Sequence, residues 1–391
     1  MLAESSLVYL DSAATSLTPD RVVEAMSLYY GTVGAAAGRG IYRAAARATA
    51  AVEDAREVVA SFFRCRADEV IFTHNTTDGI NLVAWGMDWR AGDRILTTLF
   101  EHHANLLPWI RLRDKTGVEL EIIKPDKNGF ITADAFEGPL ARGNVKLVAV
   151  TARSNVTGVD VPVGEITARA RAAGAMVLID AAQAAPHVPW DLSVVKPDFF
   201  VMSAHKALGP KGGGILFVRR EIQDRLSPGR LGGGIVNDVD LETYAFCPPP
   251  ACYEAGTYDV AGIVGLAEGL KILMEIGMGE VARHDRALGR RLNAGLRATG
   301  GVTVLGPDCG GDAPATCSFV FEGLKAHRAA SLYDGFAGIA VRSGHHCALP
   351  LIKHYGYPEG TVRVSAYVYN DDAEVDRFLE ITADLAKGRS T

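Results

Sequence analysis

Cysteine is scarce in this sequence, and other features of exported or membrane proteins are missing. Six cysteines among 391 residues do not make a disulfide framework. The first residues, 1–10, are too short and too acidic for a signal peptide, and no apolar run reaches the roughly 18 residues that a membrane-spanning helix needs. We therefore expect a cytoplasmic protein with free thiols and no membrane partner.

Charge of one sign is not concentrated anywhere. Lys and Arg number 40 and Asp and Glu number 46, a formal net charge of -6, and the basic residues form no stripe. No nucleic-acid partner is expected from such a mild acidic excess. Hydrophobic residues make up 48% and charged residues 22%, a balance typical of globular proteins.

Short apolar runs alternate with longer amphipathic segments after an alanine-rich helical stretch at 44–60. This pattern predicts helices that include 77–85 and 163–173, and strands over residues 69–73, 94–98, 146–150, 176–179, 199–202 and 214–218. Strands that alternate with helices predict an α/β protein whose mostly parallel sheet is covered on both faces.

The pattern changes after residue 262. Helical stretches at 263–275 and 279–298 precede antiparallel-looking strands around 316–321 and 362–369, and a closing helix over 371–386. We predict a large domain over residues 11–262 and a smaller α+β domain over 263–391, with residues 1–10 packing against the smaller one. Roughly 150 residues per domain is the usual size.

Polar residues follow five of the predicted strands. Ligands of open α/β sheets bind at the carboxyl ends of the strands, so these residues predict a single cleft. They are Asn75, Thr76 and Thr77, then Glu101, His102 and His103, then Ser154 and Asn155, then Asp180 and Gln183, and finally Ser203, His205 and Lys206.

Each of these groups has a structural alternative. Thr76 and Thr77 fit a plain helix cap as well as a phosphate site. Asp180 fits a helix cap or a partner for a cation such as a protonated pyridine nitrogen. Lys206 is either a surface lysine or an amine whose lowered pKa allows a Schiff base. Arg363, on the polar face of an alternating strand, fits a carboxylate site or a surface salt bridge.

Three segments resemble motifs of a known family. Residues 203–210 resemble the lysine motif of fold-type-I, class V aminotransferase-like enzymes, which use pyridoxal 5'-phosphate, and residues 180–183 resemble their pyridine-binding motif. Residues 342–350 resemble the active-cysteine loop of group II (SUF-type) cysteine desulfurases and selenocysteine lyases. Further similarities, which extend the resemblance from residue 10 to about residue 370, lie at 10–15, 101–105, 154–156 and 254–257.

The resemblance implies a role for each matching residue. Lys206 would hold pyridoxal phosphate covalently and move protons, while Asp180 would pair with the pyridine nitrogen and make the ring an electron sink. His102 would stack on the ring and serve as an acid or base. The remaining cofactor contacts would be made by Gln183 to the ring hydroxyl and, at the phosphate, by Thr76, Thr77, Ser203 and His205.

The resemblance also implies a substrate and partners. Asn155 and Arg363, with Arg342 nearby, would bind the carboxylate end of L-cysteine or selenocysteine. Cys347 would take the sulfur as a persulfide and release L-alanine, and its short loop favours a dedicated protein acceptor that serves iron–sulfur cluster or related biosynthesis. Thr257 would reach the phosphate of the other subunit, which implies a homodimer with shared active sites.

Cys347 itself has other interpretations. Because it follows Arg342, His345 and His346, we expect nearby positive charge to favour its thiolate. It also fits an inert core cysteine. Adjacent residues rarely converge on one ion, so no metal is expected. Other class V chemistry, by an aminotransferase or epimerase, and a non-catalytic protein with this fold are further alternatives.

The sequence departs from the family pattern at two places. Histidines usually flank an Arg-Gly pair near the amino end, but here Gly38 and Tyr42 surround that pair. After Thr257 the family usually continues Pro-Asn-Thr, whereas this chain has Asp259 in that segment. A carboxylate there would weaken phosphate binding across the dimer if it pointed inward.

Overall fold

The computed structural model describes residues 7–388, so most of the predicted packing of residues 1–10 lies outside the described residues. The strands are β1 Val8–Tyr9, β2 Val70–Thr73, β3 Arg94–Thr98, β4 Glu119–Ile123, β5 Val145–Thr151, β6 Met176–Asp180, β7 Phe199–Ser203, β8 Gly214–Val218, β9 Val236–Val239, β10 Tyr244–Phe246, β11 Val302–Val304, β12 Thr316–Phe321, β13 Ile339–Ala340, β14 Arg342–Gly344 and β15 Thr361–Ser365. The helices are α1 Asp20–Thr32, α2 Arg43–Phe63, α3 Thr76–Gly86, α4 Leu107–Thr116, α5 Glu137–Ala141, α6 Val163–Ala172, α7 Leu192–Val195, α8 Val260–Ile276, α9 Met278–Ala298, α10 Ala326–Ala337, α11 Leu349–His354 and α12 Asp372–Ala386.

A seven-stranded sheet with the order β2-β8-β7-β6-β5-β3-β4 forms the larger part of the molecule. Its strands are parallel from β4 to β7, and β8 runs antiparallel to both of its neighbours, β7 and β2. All strands except β8 therefore point the same way. Their carboxyl ends meet at one edge, which confirms the predicted α/β class.

Side chains along these strands alternate between two hydrophobic clusters, one on each face of the sheet. In β7, Phe200 and Met202 join the cluster that includes α2, while Phe199 and Val201 join the cluster that includes α3 and α4. A strand that is apolar at every position is expected when both faces are covered. The continuous apolar runs in the sequence have this origin.

A four-stranded antiparallel sheet, with the order β11-β12-β15-β14, lies in the carboxyl-terminal part. It packs in a third cluster with α9, α10 and α12, and Val8 and Leu10 belong to the same cluster. Strand β1 pairs with β13, so the chain just before residue 11 contacts residues after 338. The division at residue 262 stays a prediction.

The structure has strands that the sequence analysis did not predict, including β4 in the large sheet, and one predicted strand is shorter than expected. Strand β4 was not predicted because it has charges on an exposed edge, where Glu121 pairs with Arg94 and Arg142. The strand expected over 362–369 ends at Ser365, because the chain then turns and Asn370 accepts a hydrogen bond from the Tyr367 N–H at 2.8 Å. In residues 7–388 no helix is both long and apolar enough to cross a membrane.

Candidate active site

A cleft of about 640 Å³ opens at the carboxyl edge of the seven-stranded sheet. This volume is in the range of sites for small molecules and cofactors. Thr257 lines a separate cavity. The other predicted site residues all line the cleft: Thr76, Thr77, His102, Asn155, Asp180, Gln183, Ser203, His205, Lys206, Arg342, Cys347 and Arg363.

Lys206 and Asp180 place an amine and a carboxylate in this cleft. Burial lowers the pKa of Lys206 to about 8, although the nearby Asp180 opposes the shift. Asp180 is the last residue of β6, is 3% exposed, and accepts a hydrogen bond from the Ala182 N–H at 3.0 Å. Burial raises the pKa of Asp180. A bound cation would therefore stabilise its ionised form.

The start of α3 lines another part of the cleft. Asn75 caps this helix by accepting a hydrogen bond from the Asp78 N–H at 2.9 Å, so the plain-cap interpretation of Thr76 and Thr77 is wrong. Ser203 Oγ lies 2.8 Å from Thr76 Oγ1 and accepts a hydrogen bond from the Thr76 N–H. The N–H groups and hydroxyls at a helix start are suited to phosphate.

His102 and Gln183 are each fixed by the backbone. His102 Nδ1 accepts a hydrogen bond from the Ala104 N–H at 3.0 Å, and burial lowers the His102 pKa to about 3. The imidazole is therefore neutral and carries its proton on Nε2. Gln183 Nε2 donates to the carbonyl of Ala13 at 2.8 Å, which holds its amide at the cleft wall.

Cys347 is exposed and lies in a short loop between β14 and α11. The loop is held at His346, whose carbonyl accepts a hydrogen bond from Asn155 Nδ2 at 2.6 Å and whose Nε2 lies 2.8 Å from Thr361 Oγ1. His346 and Cys347 both have left-handed backbone conformations, with φ of 52° and 55°. A side chain of β15 and one from the segment after β5 therefore hold the residue next to Cys347.

His346 does not supply the positive charge that the sequence predicts beside Cys347. Burial lowers the pKa of His346 to about 2, so the ring is neutral. The charge of Arg342 is shared with Asp11, whose Oδ2 lies 2.8 Å from Arg342 Nη2. The expectation for His346 is wrong because burial, which depends on the packing of distant residues, removes the charge.

Arg363 is buried, 3% exposed, so the surface salt-bridge alternative is wrong. Its Nη1 donates to the Asn155 carbonyl at 3.0 Å, and its Nη2 to Asp11 Oδ1 at 3.2 Å. Arg363 Nε and Asn155 Oδ1 are buried without a hydrogen-bond partner among residues 7–388. Both residues line the cleft, so a polar ligand there would complete the hydrogen bonding of these two atoms.

The family departures lie away from the cleft lining. Thr257 lines a cavity of about 80 Å³ together with Gly213 and Arg230. Asp259 caps α8 by accepting a hydrogen bond from the Gly262 N–H at 3.0 Å. Near the amino end, the Gly38 N–H donates to Thr49 Oγ1 at 2.9 Å. The carboxylate of Asp259 therefore has a structural role as the cap of α8.

Glu101, which the sequence analysis placed among the cleft residues, is a buried carboxyl group that does not line the cleft. It accepts hydrogen bonds from Thr98 Oγ1 at 2.5 Å, Asn105 Nδ2 at 2.6 Å and the Thr151 N–H at 3.1 Å. Burial raises its pKa to about 8. These bonds join the ends of β3 and β5 directly beside His102. The position of this glutamate, between the end of a strand and two histidines, was the sequence feature that could have indicated a buried supporting role.

No group of three or more His, Cys, Asp or Glu side chains is placed to hold a metal ion within residues 7–388. The cleft instead has the groups that pyridoxal phosphate needs. The amine of Lys206 suits an aldehyde, buried Asp180 suits a pyridinium, and the start of α3 suits a phosphate. The residues present therefore fit this cofactor.

Fold and cleft together define a pyridoxal-phosphate protein, and a family comparison agrees. The chain belongs to the aminotransferase class-V family, whose model matches residues 8–378.

Several proteins similar to this chain are described as cysteine desulfurases. The chain is 40% identical over 384 residues to a probable cysteine desulfurase of Pyrococcus abyssi, covering 97% of this chain and 94% of that protein. It is 38% identical to a cysteine desulfurase of an Enterobacter species, covering 95% of this chain and 92% of the relative. A cysteine desulfurase structure from Thermococcus onnurineus superposes with a TM-score of 0.94 at 40% identity, covering 98% of this chain and 95% of that one.

Proposed function

We propose that this chain is a pyridoxal-phosphate-dependent cysteine desulfurase, which converts L-cysteine to L-alanine and forms a persulfide on Cys347. The observation that carries the proposal is that Lys206 and Cys347 line one cleft. Cys347 is also among the groups that act on the pKa of Lys206, raising it. Other class V enzymes need the lysine, but only sulfur chemistry needs a thiol in this position.

The roles of the cleft residues follow from their contacts. Lys206 would hold the cofactor and move protons. Asp180 would pair with the pyridine nitrogen and keep it protonated, and His102, a neutral imidazole, would stack on the ring. When bound, the cofactor withdraws electrons from the substrate. Further cofactor contacts come from Gln183 and, at the phosphate, from Thr76, Thr77, Ser203 and His205.

Arg363 and Asn155 are proposed to bind the substrate carboxylate, with Arg342 beside them. The buried, unpartnered Nε of Arg363 supports this assignment, because a carboxylate oxygen would complete its hydrogen bonding. Asn155 also donates to the His346 carbonyl at 2.6 Å, so this site lies beside the loop of Cys347.

The sulfur step balances without another reactant. The thiol of Cys347 and L-cysteine give the Cys347 persulfide and L-alanine. The bond between the substrate β-carbon and its sulfur breaks, and a bond forms between that sulfur and the sulfur of Cys347. The β-carbon gains a proton. A second thiol then attacks the outer sulfur and restores Cys347.

The test measures alanine and sulfide from purified holoenzyme given L-cysteine, with a parallel arm given selenocysteine. We expect Cys347→Ala to abolish sulfide release while the visible absorbance band of the lysine-bound cofactor stays. Lys206→Ala should remove that band. Sulfide release that persists in Cys347→Ala at the wild-type rate would reject the desulfurase. Alanine formed only from selenocysteine would indicate a selenocysteine lyase.

We also propose a homodimer with shared sites, in which Thr257 reaches the phosphate of the other subunit. Its position in a separate cavity supports this arrangement, as do the exposed apolar side chains Ile41, Leu231 and Leu241. Mixing Thr257→Ala subunits with Lys206→Ala subunits should give hybrids with one intact site. Activity that does not recover on mixing, with dimers visible by light scattering, would contradict shared sites.

A protein sulfur acceptor and a cytoplasmic location belong to the same proposal. Cys347 is exposed, so a partner thiol has access to it, yet its loop is held at His346. A loop of limited reach favours a partner that docks beside the cleft. Persulfide turnover that is equally fast with and without candidate acceptor proteins would remove this support.

A further inference from the structure

Two guanidinium groups at the cleft share one carboxylate. Asp11 Oδ2 lies 2.8 Å from Arg342 Nη2, and Asp11 Oδ1 lies 3.2 Å from Arg363 Nη2. Both arginines line the cleft, whereas Asp11 is not among its lining residues. Asp11 is held in place by a backbone bridge to Ser365 of β15. The carboxylate therefore acts on the cleft through the arginines.

The contacts of Arg363 leave one edge of its guanidinium for a ligand. The Asn155 carbonyl and Asp11 occupy its two Nη atoms, while Nε is buried without a partner among the described residues, 7–388. Asp11 therefore fixes the plane of the guanidinium. A substrate carboxylate that approaches Nε meets an already oriented donor, which reduces the entropy lost on binding.

The charges of Arg342, Arg363 and Asp11 do not cancel. Two guanidinium groups and one carboxylate leave a single positive charge, because the neighbouring His346 is neutral. An amino acid with one carboxylate balances that charge. A second carboxylate brought beside these two arginines would find both guanidinium charges already matched, one by Asp11 and one by the first carboxylate, and an unpaired charge is costly away from water.

We propose that Asp11 is a specificity-determining residue, which makes the cleft select amino acids with one carboxylate over dicarboxylic amino acids. It acts by orienting Arg363 and by neutralising one of the two arginines. The inference rests on the proposed function only in taking an amino acid as the ligand.

The experiment compares the binding of L-alanine and L-aspartate to holoenzyme by isothermal titration calorimetry. Neither ligand carries sulfur, so the result does not depend on Cys347 or on desulfurase activity. We expect Asp11→Asn to lower the ratio of the L-aspartate Kd to the L-alanine Kd by about tenfold or more, mainly through tighter L-aspartate binding. Asp11→Glu, which keeps the charge, should retain most of the wild-type ratio.

A double variant tests the charge count itself. Arg342→Gln alone leaves Asp11 opposite Arg363, so it should weaken binding of both ligands and raise the ratio. Asp11→Asn combined with Arg342→Gln restores a single positive charge and should bring the ratio back toward wild type. Asp376→Asn is the matched control, because Asp376 pairs with Arg291 on the exposed surface, and it should leave the ratio unchanged.

Several outcomes would overturn the proposal. These are a ratio within twofold of wild type in Asp11→Asn, equal weakening of both ligands in that variant, or no L-alanine binding to the wild-type holoenzyme. If Asp11→Asn does not fold, the Arg342→Gln result decides, and an unchanged ratio there rejects the charge count. A shifted ratio in an enzyme that releases no sulfide would leave this inference standing and remove the desulfurase proposal.

Discussion

The cleft has two walls that are built in different ways. One wall is the row of strand ends from the seven-stranded sheet, where Asp180 and Ser203 are buried and hydrogen-bonded. The other is the short loop that carries Cys347, where the thiol is exposed and the backbone takes left-handed conformations at neighbouring residues. The first wall holds groups whose position is set by a packed sheet, and the second presents a group to the outside.

This difference matches two chemical tasks. A cofactor needs charges and donors that do not rearrange during the reaction, and strand ends provide them. A thiol that takes sulfur and then gives it away must be accessible on both occasions. Changes in the strand-end wall should therefore alter the reaction at the substrate carbon, whereas changes in the loop wall should alter sulfur transfer.

The largest effect is expected from Asp180→Asn in the strand-end wall. The amide cannot keep a pyridine nitrogen protonated, so kcat for alanine formation should fall by about 100- to 1,000-fold. The cofactor stays attached through Lys206, and the absorbance band should remain. Alanine formation at fixed cysteine concentration, measured with the spectrum, checks both.

A matched control for this variant lies at the opposite edge of the same sheet. Asp198 is also a buried aspartate, 2% exposed, and accepts a hydrogen bond from the Val177 N–H at 2.8 Å. Asp198→Asn should lower the midpoint of thermal unfolding and leave kcat within about twofold of wild type. Equal losses of kcat in the two variants would mean that Asp180 acts only through stability.

The next effect concerns loading of the cofactor at Lys206. Burial lowers the pKa of Lys206 to about 8. The fraction of Lys206 that is unprotonated, and therefore reactive, increases as the pH rises toward 8 and approaches one above it. The rate at which cofactor-free protein regains the absorbance band should rise about tenfold per pH unit below this value and then level off. Asp180 raises the Lys206 pKa, so Asp180→Asn should move the midpoint to lower pH. A rate that still climbs steeply above about pH 10 would contradict a lowered pKa.

Much of the strand-end wall could be predicted from the sequence because its residues lie at the end of an apolar run or within a few residues of it. Asp180 and Lys206 were placed correctly on that ground, and the alternation of strands and helices predicted the sheet. The contacts of Asp11 could not be predicted, because they join residue 11 to residues 342 and 363 across separate strands. The neutral state of His346 was missed for a similar reason, since burial by distant segments decides it.

The smallest effect is expected in the loop wall, from Thr361→Val. The substitution keeps the shape of the buried side chain but removes the hydrogen bond between Thr361 Oγ1 and His346 Nε2, now 2.8 Å long. Such a bond contributes about 1 kcal/mol, so persulfide formation on Cys347 should slow by roughly fivefold in a single turnover. Mass spectrometry of the trapped persulfide measures this rate, while the cofactor band should not change. Thr382→Val removes a comparable buried bond, to Tyr333 at 2.6 Å, far from the loop. If that control slows persulfide formation as much as Thr361→Val does, general loss of stability explains the effect, and the anchored loop has no separate part in positioning the thiol.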